Sequence, residues 1–234
     1  MARTDTRRTI RYERRTRDAA SVGLGLGVLG VGMLLVRDGT VSGAEEAVFR
    51  ALNDLPEALY PVLWPFQQAG ALFIGPLVAL VALLLRRYRL AWAALAVTVL
   101  KLVLERAVKG VSSRQRPGTS IGSDIHIRGD VSAAGESFVS GHAVLIAALA
   151  TIVSPYVPGR WKIVPWAIAG MVLITRVYVG AHNPLDVICG AGLGLAIGGV
   201  LNLAFGVPAA SDPRTPAESR TEPTPHPSTS PGTA

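Results

Sequence analysis

Apolar residues along this chain gather into long runs separated by short polar breaks, instead of alternating. A helix crossing a hydrocarbon core of about 30 Å needs roughly 20 mostly apolar residues. Six stretches meet or approach that length: 19–36, 69–85, 90–108, 141–157, 161–179 and 184–207. The first is glycine-rich, and no small-residue cleavage site follows a short apolar core there, so it reads as an uncleaved anchor. The pattern predicts an all-α, polytopic membrane protein, a six-transmembrane-helix bundle over residues 19–207, flanked by tails at 1–18 and 208–234. Residues 41–64 differ. Ala47, Val48, Ala51, Leu52 and Leu55 recur at helical spacing, and Pro56, Pro61 and Pro65 are expected to break the stretch into a short amphipathic segment on the outer surface.

Composition agrees with the pattern. The 234 residues are 50% hydrophobic and 17% charged, against about 25% charged in a soluble domain. A disulfide scaffold is excluded, because Cys189 is the chain's one cysteine. The tail from Pro208 holds seven of the 16 prolines and is expected to be disordered. The net charge of +7 would suit a nucleic-acid binder, but the positions of the charges argue for a membrane instead. Arg3, Arg7, Arg8, Arg11, Arg14, Arg15 and Arg17 precede the first span, and Arg86, Arg87, Arg89, Arg160, Lys162, Arg214 and Arg220 fall in alternate loops and the C-terminal tail. The positive-inside rule then places both termini in the cytoplasm, the basic N-tail lying against anionic lipid. Trp64, Trp92, Trp161 and Trp166 fall mostly near span ends, as interfacial anchors do. Gly190, Gly194 and Gly198 allow close helix approach.

With that topology the loop 109–139 and the turn 180–183 open on the outer face, and they gather three polar clusters. Lys109 is followed seven residues later by Arg116-Pro117. Ser140-Gly141-His142 opens the fourth span. Arg176, His182 and Asp186 share the run Thr-Arg-Val-Tyr-Val-Gly-Ala-His-Asn-Pro-Leu-Asp. Three cations from different helix ends suit a phosphate dianion. Ser140 and Gly141 offer backbone N–H groups at a helix N-terminus, a ready anion site. Pro184 fits the first turn of the sixth span, with Asn183 as its N-cap. Asp186 can accept from one ring nitrogen of His182, leaving the other unprotonated and nucleophilic. His142 is a second imidazole where an acid is needed to protonate a leaving oxygen. Together these residues point to phosphoryl transfer through a phosphohistidine. A metal site built from His142, His182 and Asp186 is disfavoured by the neighbouring cations.

The series Lys-x6-Arg-Pro, Ser-Gly-His and Arg-x5-His-x3-Asp, in that order, resembles the type 2 phosphatidic acid phosphatase family, whose site is shared with vanadium-dependent haloperoxidases and bacterial acid phosphatases. The motifs cover residues 109–186, and the span layout extends the likeness to about 19–207. The resemblance implies that His182 attacks phosphorus, Asp186 orients it and His142 protonates the leaving group. It implies that Lys109, Arg116, Ser140, Gly141 and Arg176 hold the phosphoryl oxygens, with no metal and no cofactor. Two positions depart from the family's pattern: Val139 stands where Pro is usual, and Thr175 where Ser is usual. Thr175 keeps a hydroxyl, and Val139 is expected to loosen the Ser140 loop.

Other polar residues divide on position. Lys101, Glu105 and Lys109 share one helical face, so Glu105 is expected to neutralise Lys101 and steer Lys109. Arg114 reads as a surface charge of the loop, and Asp124, His126, Arg128 and Asp130 as solvated loop chemistry. The expected function is an integral membrane lipid phosphatase whose partners are the bilayer and a membrane lipid phosphate, not nucleic acid. Polyprenyl pyrophosphate, phosphatidic acid, phosphatidylglycerol phosphate and diacylglycerol pyrophosphate are the substrates the resemblance implies. The rivals are a vanadate-dependent haloperoxidase-like oxidase, which bromide-dependent peroxide chemistry would reveal, and a non-catalytic lipid-phosphate binding or transport protein, which would tolerate loss of His182.

Overall fold

A computed structural model describes residues 11–209, so Arg3, Arg7, Arg8 and the Pro-rich tail beyond Ala209 lie outside the described residues. Within them the chain is mostly helical. Helices α1 (Thr16–Leu35), α2 (Gly43–Asn53), α3 (Tyr60–Ala69), α4 (Ile74–Leu84) and α5 (Tyr88–Lys109) follow in order. They lead through the short α6 (Pro117–Ser120) to α7 (Gly141–Val153), α8 (Ile163–Tyr178) and α9 (Pro184–Phe205). Strands β1 (Tyr12–Glu13) and β2 (Val207–Pro208) pair antiparallel, with Tyr12 opposite Pro208.

The six-span expectation holds in its coarser part only. Two helices, α1 and α9, are long and apolar enough to cross a membrane alone. A third crossing exists if the segment Glu57–Ala69 and α4, bent by 65°, are taken as one broken span. Helix α5 has the length, but no 18-residue window of it escapes Lys101, Glu105 and either Arg89 or Arg106. Pro56 breaks the stretch as expected, between α2 and the turn at Glu57–Leu59, but Pro61 and Pro65 do not. Pro61 lies in the first turn of α3 and Pro65 inside it. A proline in the first turn replaces an N–H that has no intrahelical partner anyway. A further break falls at 70–73, ahead of α4.

Packing explains the composition of each helix. Residues 143–152 of α7 are buried all round, which is why that helix is apolar on every face. Helices α1 and α4 leave Leu24, Leu34, Leu80 and Leu84 exposed, as a lipid-facing surface requires. Helix α9 packs along both α1 and α7, and glycine sets the spacing. A Cβ at Gly194 would meet the Val144 carbonyl and lie 2.9 Å from both Ala147 Cβ and Ala148 N, while one at Gly25 would meet the Gly192 carbonyl. Such backbone-to-backbone approach lets apolar helices associate where the hydrophobic effect does little. The resulting bundle gathers the C-terminal ends of α5 and α8 and the N-terminal ends of α7 and α9 at one end.

Gly194→Val forces α9 off α7 and costs about 1–3 kcal/mol, lowering the unfolding temperature in detergent by several degrees. Gly30→Ala, where nothing lies within 4 Å of the added carbon, leaves it unchanged or raises it. Equal shifts for the two variants would contradict this packing.

Candidate active site

The end where those helix termini meet holds a buried carboxylate with an unusual set of neighbours. Asp186 is fully buried in the first turn of α9. Its Oδ2 accepts the backbone N–H of Asn183 at 2.8 Å and the Ser137 hydroxyl. Its Oδ1 lies 3.0 Å from Arg114 Nε, an ion pair too bent to count as a hydrogen bond. Arg114 is itself fully buried, donating to Glu45 Oε1 at 2.5 Å and to the Thr40 carbonyl at 2.9 Å. Glu45 Oε1 also accepts the Leu185 N–H at 2.9 Å. One arginine thus joins α2, the loop before α6 and the start of α9. Asn183 occupies the N-cap position through its backbone, and its side-chain amide donates instead to the Gln115 carbonyl and Ser120 Oγ.

His182 stands in the turn just ahead of α9, buried. Its Nδ1 is 3.8 Å from Asp186 Oδ2, beyond direct hydrogen bonding, and 3.3 Å from Ser137 Oγ. The expected direct contact is therefore replaced by a relay. The Nδ1–H donates to Ser137 Oγ, and the Ser137 hydroxyl donates to Asp186. Nε2 is left unprotonated. Burial holds the imidazole down to about 4 against the upward pull of Asp186, and the charges of Arg176 and Arg116 add to the depression.

The other site residues gather at the same end. Arg116 Nη1 donates to the Ala181 carbonyl at 3.2 Å. Burial lowers its pKa, while Asp186 and Glu105 raise it. Arg176 is buried in the last turn of α8, and its Nε meets no acceptor among the described residues. Ser140 is buried, its backbone N–H donating to the Asp186 carbonyl oxygen at 3.0 Å and its Oγ without a partner among the described residues. Val139, ahead of it, is fully buried. Lys109 Nζ lies 2.8 Å from Glu105 Oε1, and Lys101 Nζ 2.7 Å from Oε2. The Glu105 carboxylate reaches the N-terminus of α7, where a Cβ on Gly141 would meet it. His142 follows in the first turn of α7, against Gly70 at the break before α4; a Cβ on Gly70 would come within 2.8 Å of His142 Cδ2. Among the described residues no three His, Cys, Asp or Glu side chains converge as a metal site.

Two readings of the loop are corrected. Arg114 is no surface charge, because its guanidinium is walled in by two carboxylates. Arg128 is not solvated either. It is buried, stacks 4.2 Å over the Tyr178 ring and donates to the carbonyls of Asn53, Tyr178 and Leu55. Ser137 and Glu45 carried no motif signal, since each acts through a partner distant in sequence.

The family model described as the PAP2 superfamily matches residues 89–207. The chain belongs to the PAP2 superfamily. Two solved structures are similar: LpxE of Aquifex aeolicus, at 24% identity with a TM-score of 0.60, covering 66% of this chain and 92% of that one; and a transmembrane PAP2-type phosphatidylglycerolphosphate phosphatase from Bacillus subtilis, at 23% and 0.62, covering 76% and 94%. They establish the fold. No curated protein matches the chain. With its apolar helices, this PAP2 chain is a membrane protein.

Arg114→Met leaves Glu45 and Asp186 as buried carboxylates without their shared cation. Removing one partner of a buried pair costs about 3–5 kcal/mol. Thermal unfolding is expected to show that loss, whereas Arg50→Gln, in a solvent-screened pair with Glu46 and Asp124, is expected to leave it nearly unchanged.

Proposed function

We propose that this chain is an integral membrane lipid phosphatase that hydrolyses the phosphate monoester or pyrophosphate of a membrane lipid through a phosphohistidine, without a metal. The observation that carries the reading is the buried imidazole of His182, held neutral by burial and by the charges of Arg176 and Arg116 and tied at Nδ1 through Ser137 to Asp186. The lone pair of Nε2 attacks phosphorus as the bond to the lipid oxygen breaks, and His142 gives a proton to that oxygen. Water then attacks the phosphohistidine, yields its proton to His142 and releases phosphate. The cations, Ser140 and the α7 N-terminus balance the charge that spreads over the equatorial oxygens. Glu105 keeps Lys109 in place and limits the net charge of the site.

A lipid substrate is supported by what adjoins His142. Ile146, Leu149 and Val153 continue its side of α7, and with Ile74, Val78 and Ile168 they line an apolar groove of about 240 Å³. The groove suits the hydrocarbon chain of a leaving alcohol. Candidate headgroups are polyprenyl pyrophosphate, phosphatidic acid, diacylglycerol pyrophosphate and phosphatidylglycerol phosphate, the last named for the Bacillus subtilis neighbour. Arg14, Arg15, Arg17, Arg86, Arg87, Arg89, Arg160 and Lys162 lie at the bundle end away from His182, which supports cytoplasmic termini and a site on the outer face of the cell membrane.

Detergent-purified protein is expected to release phosphate from at least one of these lipids, equally with and without EDTA, and to be inhibited by vanadate. His182→Ala abolishes release. Activity confined to added metal, or retained by His182→Ala, would overturn the reading. Ser137→Ala frees the imidazole to turn and lowers kcat by about 10²-fold. The nucleophile works unprotonated, so the acid limb of kcat/KM falls as pH drops through about 4; a limb at the ordinary histidine value would show an unburied ring.

A further inference from the structure

The end of the bundle away from His182 holds a second concave site, used by nothing above. A cavity of about 230 Å³ opens where the start of α1 meets the corner between α7 and α8. Arg15, Arg17 and Lys162 line it, with one carboxylate, Asp18. That carboxylate is already consumed. It is buried, with Oδ2 accepting from Arg15 Nε at 2.8 Å and Oδ1 from Arg15 Nη2 at 3.0 Å and Asn202 Nδ2 at 2.9 Å. Asp18 therefore cancels Arg15 and pins it to α9. Arg17 and Lys162 remain, and no carboxylate among the described residues pairs with either. Two uncompensated cations facing one hollow select an anion.

The walls say which kind. Trp166 lines the cavity beside the cations and is 39% exposed, and Trp161, over which Arg160 stacks at 5.7 Å, is 57% exposed. Exposed indole rings next to Lys and Arg mark the headgroup level of a bilayer. The exposed Leu24 and Leu26 continue along α1 from the same end. A soluble anion would use the cations alone. An amphiphile uses the cations, the indole and the apolar helix surface together. We propose that this cavity binds the phosphodiester headgroup of an anionic phospholipid, on Arg17 and Lys162, at the membrane surface opposite the catalytic site. The lipid joins α1 to the α7–α8 corner, whereas the protein alone joins α1 chiefly to α9.

The test uses the whole chain in nanodiscs of phosphatidylcholine with and without phosphatidylglycerol, a diester and so no substrate for a monoesterase. Phosphatidylglycerol retained per chain is read by native mass spectrometry and its effect by thermal unfolding. Wild type is expected to keep a bound phosphatidylglycerol and to unfold at a higher temperature when it is present. Arg17→Gln/Lys162→Gln is expected to lose both effects. Both cations are exposed, so this variant folds, which unchanged phosphate release from the best substrate confirms. Arg116→Gln, altered at the catalytic end, is expected to keep both effects. Retention by the double variant, or loss in Arg116→Gln, overturns the proposal by placing the lipid elsewhere. Displacement by millimolar inorganic phosphate overturns the lipid source and leaves a plain anion site.

Discussion

The Arg114 guanidinium, shut between Glu45 and Asp186, is the contact on which the active end depends. Each of the three groups is costly to bury alone and tolerable only in company. The α2 helix must dock for Glu45 to arrive, and the loop from α5 must fold inward to bring Arg114. Only then is Asp186 fixed at the start of α9. Asp186 in turn holds Ser137, the Asn183 backbone and, through its own carbonyl, Ser140. The orientation of His182 and the position of the Ser140 loop thus hang on one cation that touches neither.

Burial does a second piece of work there. A histidine in water is partly protonated near neutrality, and beside a carboxylate it would be more so. Here desolvation and two arginines outweigh Asp186 and keep the ring neutral. In the proposed reaction the same arginines would hold the phosphoryl oxygens and keep the imidazole unprotonated, so binding and activation would share one electrostatic arrangement. Glu105 works in the opposite sense, lowering the positive charge between Lys101 and Lys109 where α7 begins.

Much of this was legible in the sequence because it is local. Apolar runs located the principal helices, proline at position 184 marked the start of α9, and three spaced motifs named the residues that meet. What escaped is long-range. Nothing in the neighbourhood of Arg114 reveals that Glu45, in another helix, awaits it, so a loop arginine looked solvated. Arg128 misled for the same reason, since its acceptors are backbone carbonyls that no residue type announces. Ser137 intervenes between His182 and Asp186 by a margin below one bond length, which spacing along the chain cannot resolve. Pro61 looked like a breaker because proline's cost depends on its place in a helix, Pro65 is carried inside α3 with no structural explanation, and a further bend lies at Gly70, beside His142.

The pairing of β1 with β2 has a topological meaning of its own. Tyr12 faces Pro208, and the Ala209 N–H donates to the Arg11 carbonyl at 2.9 Å. The described chain therefore closes on itself like a clasp, with Arg11 and Ala209 side by side. A probe attached at Arg11 and one at Ala209 therefore report on the same small area of one surface.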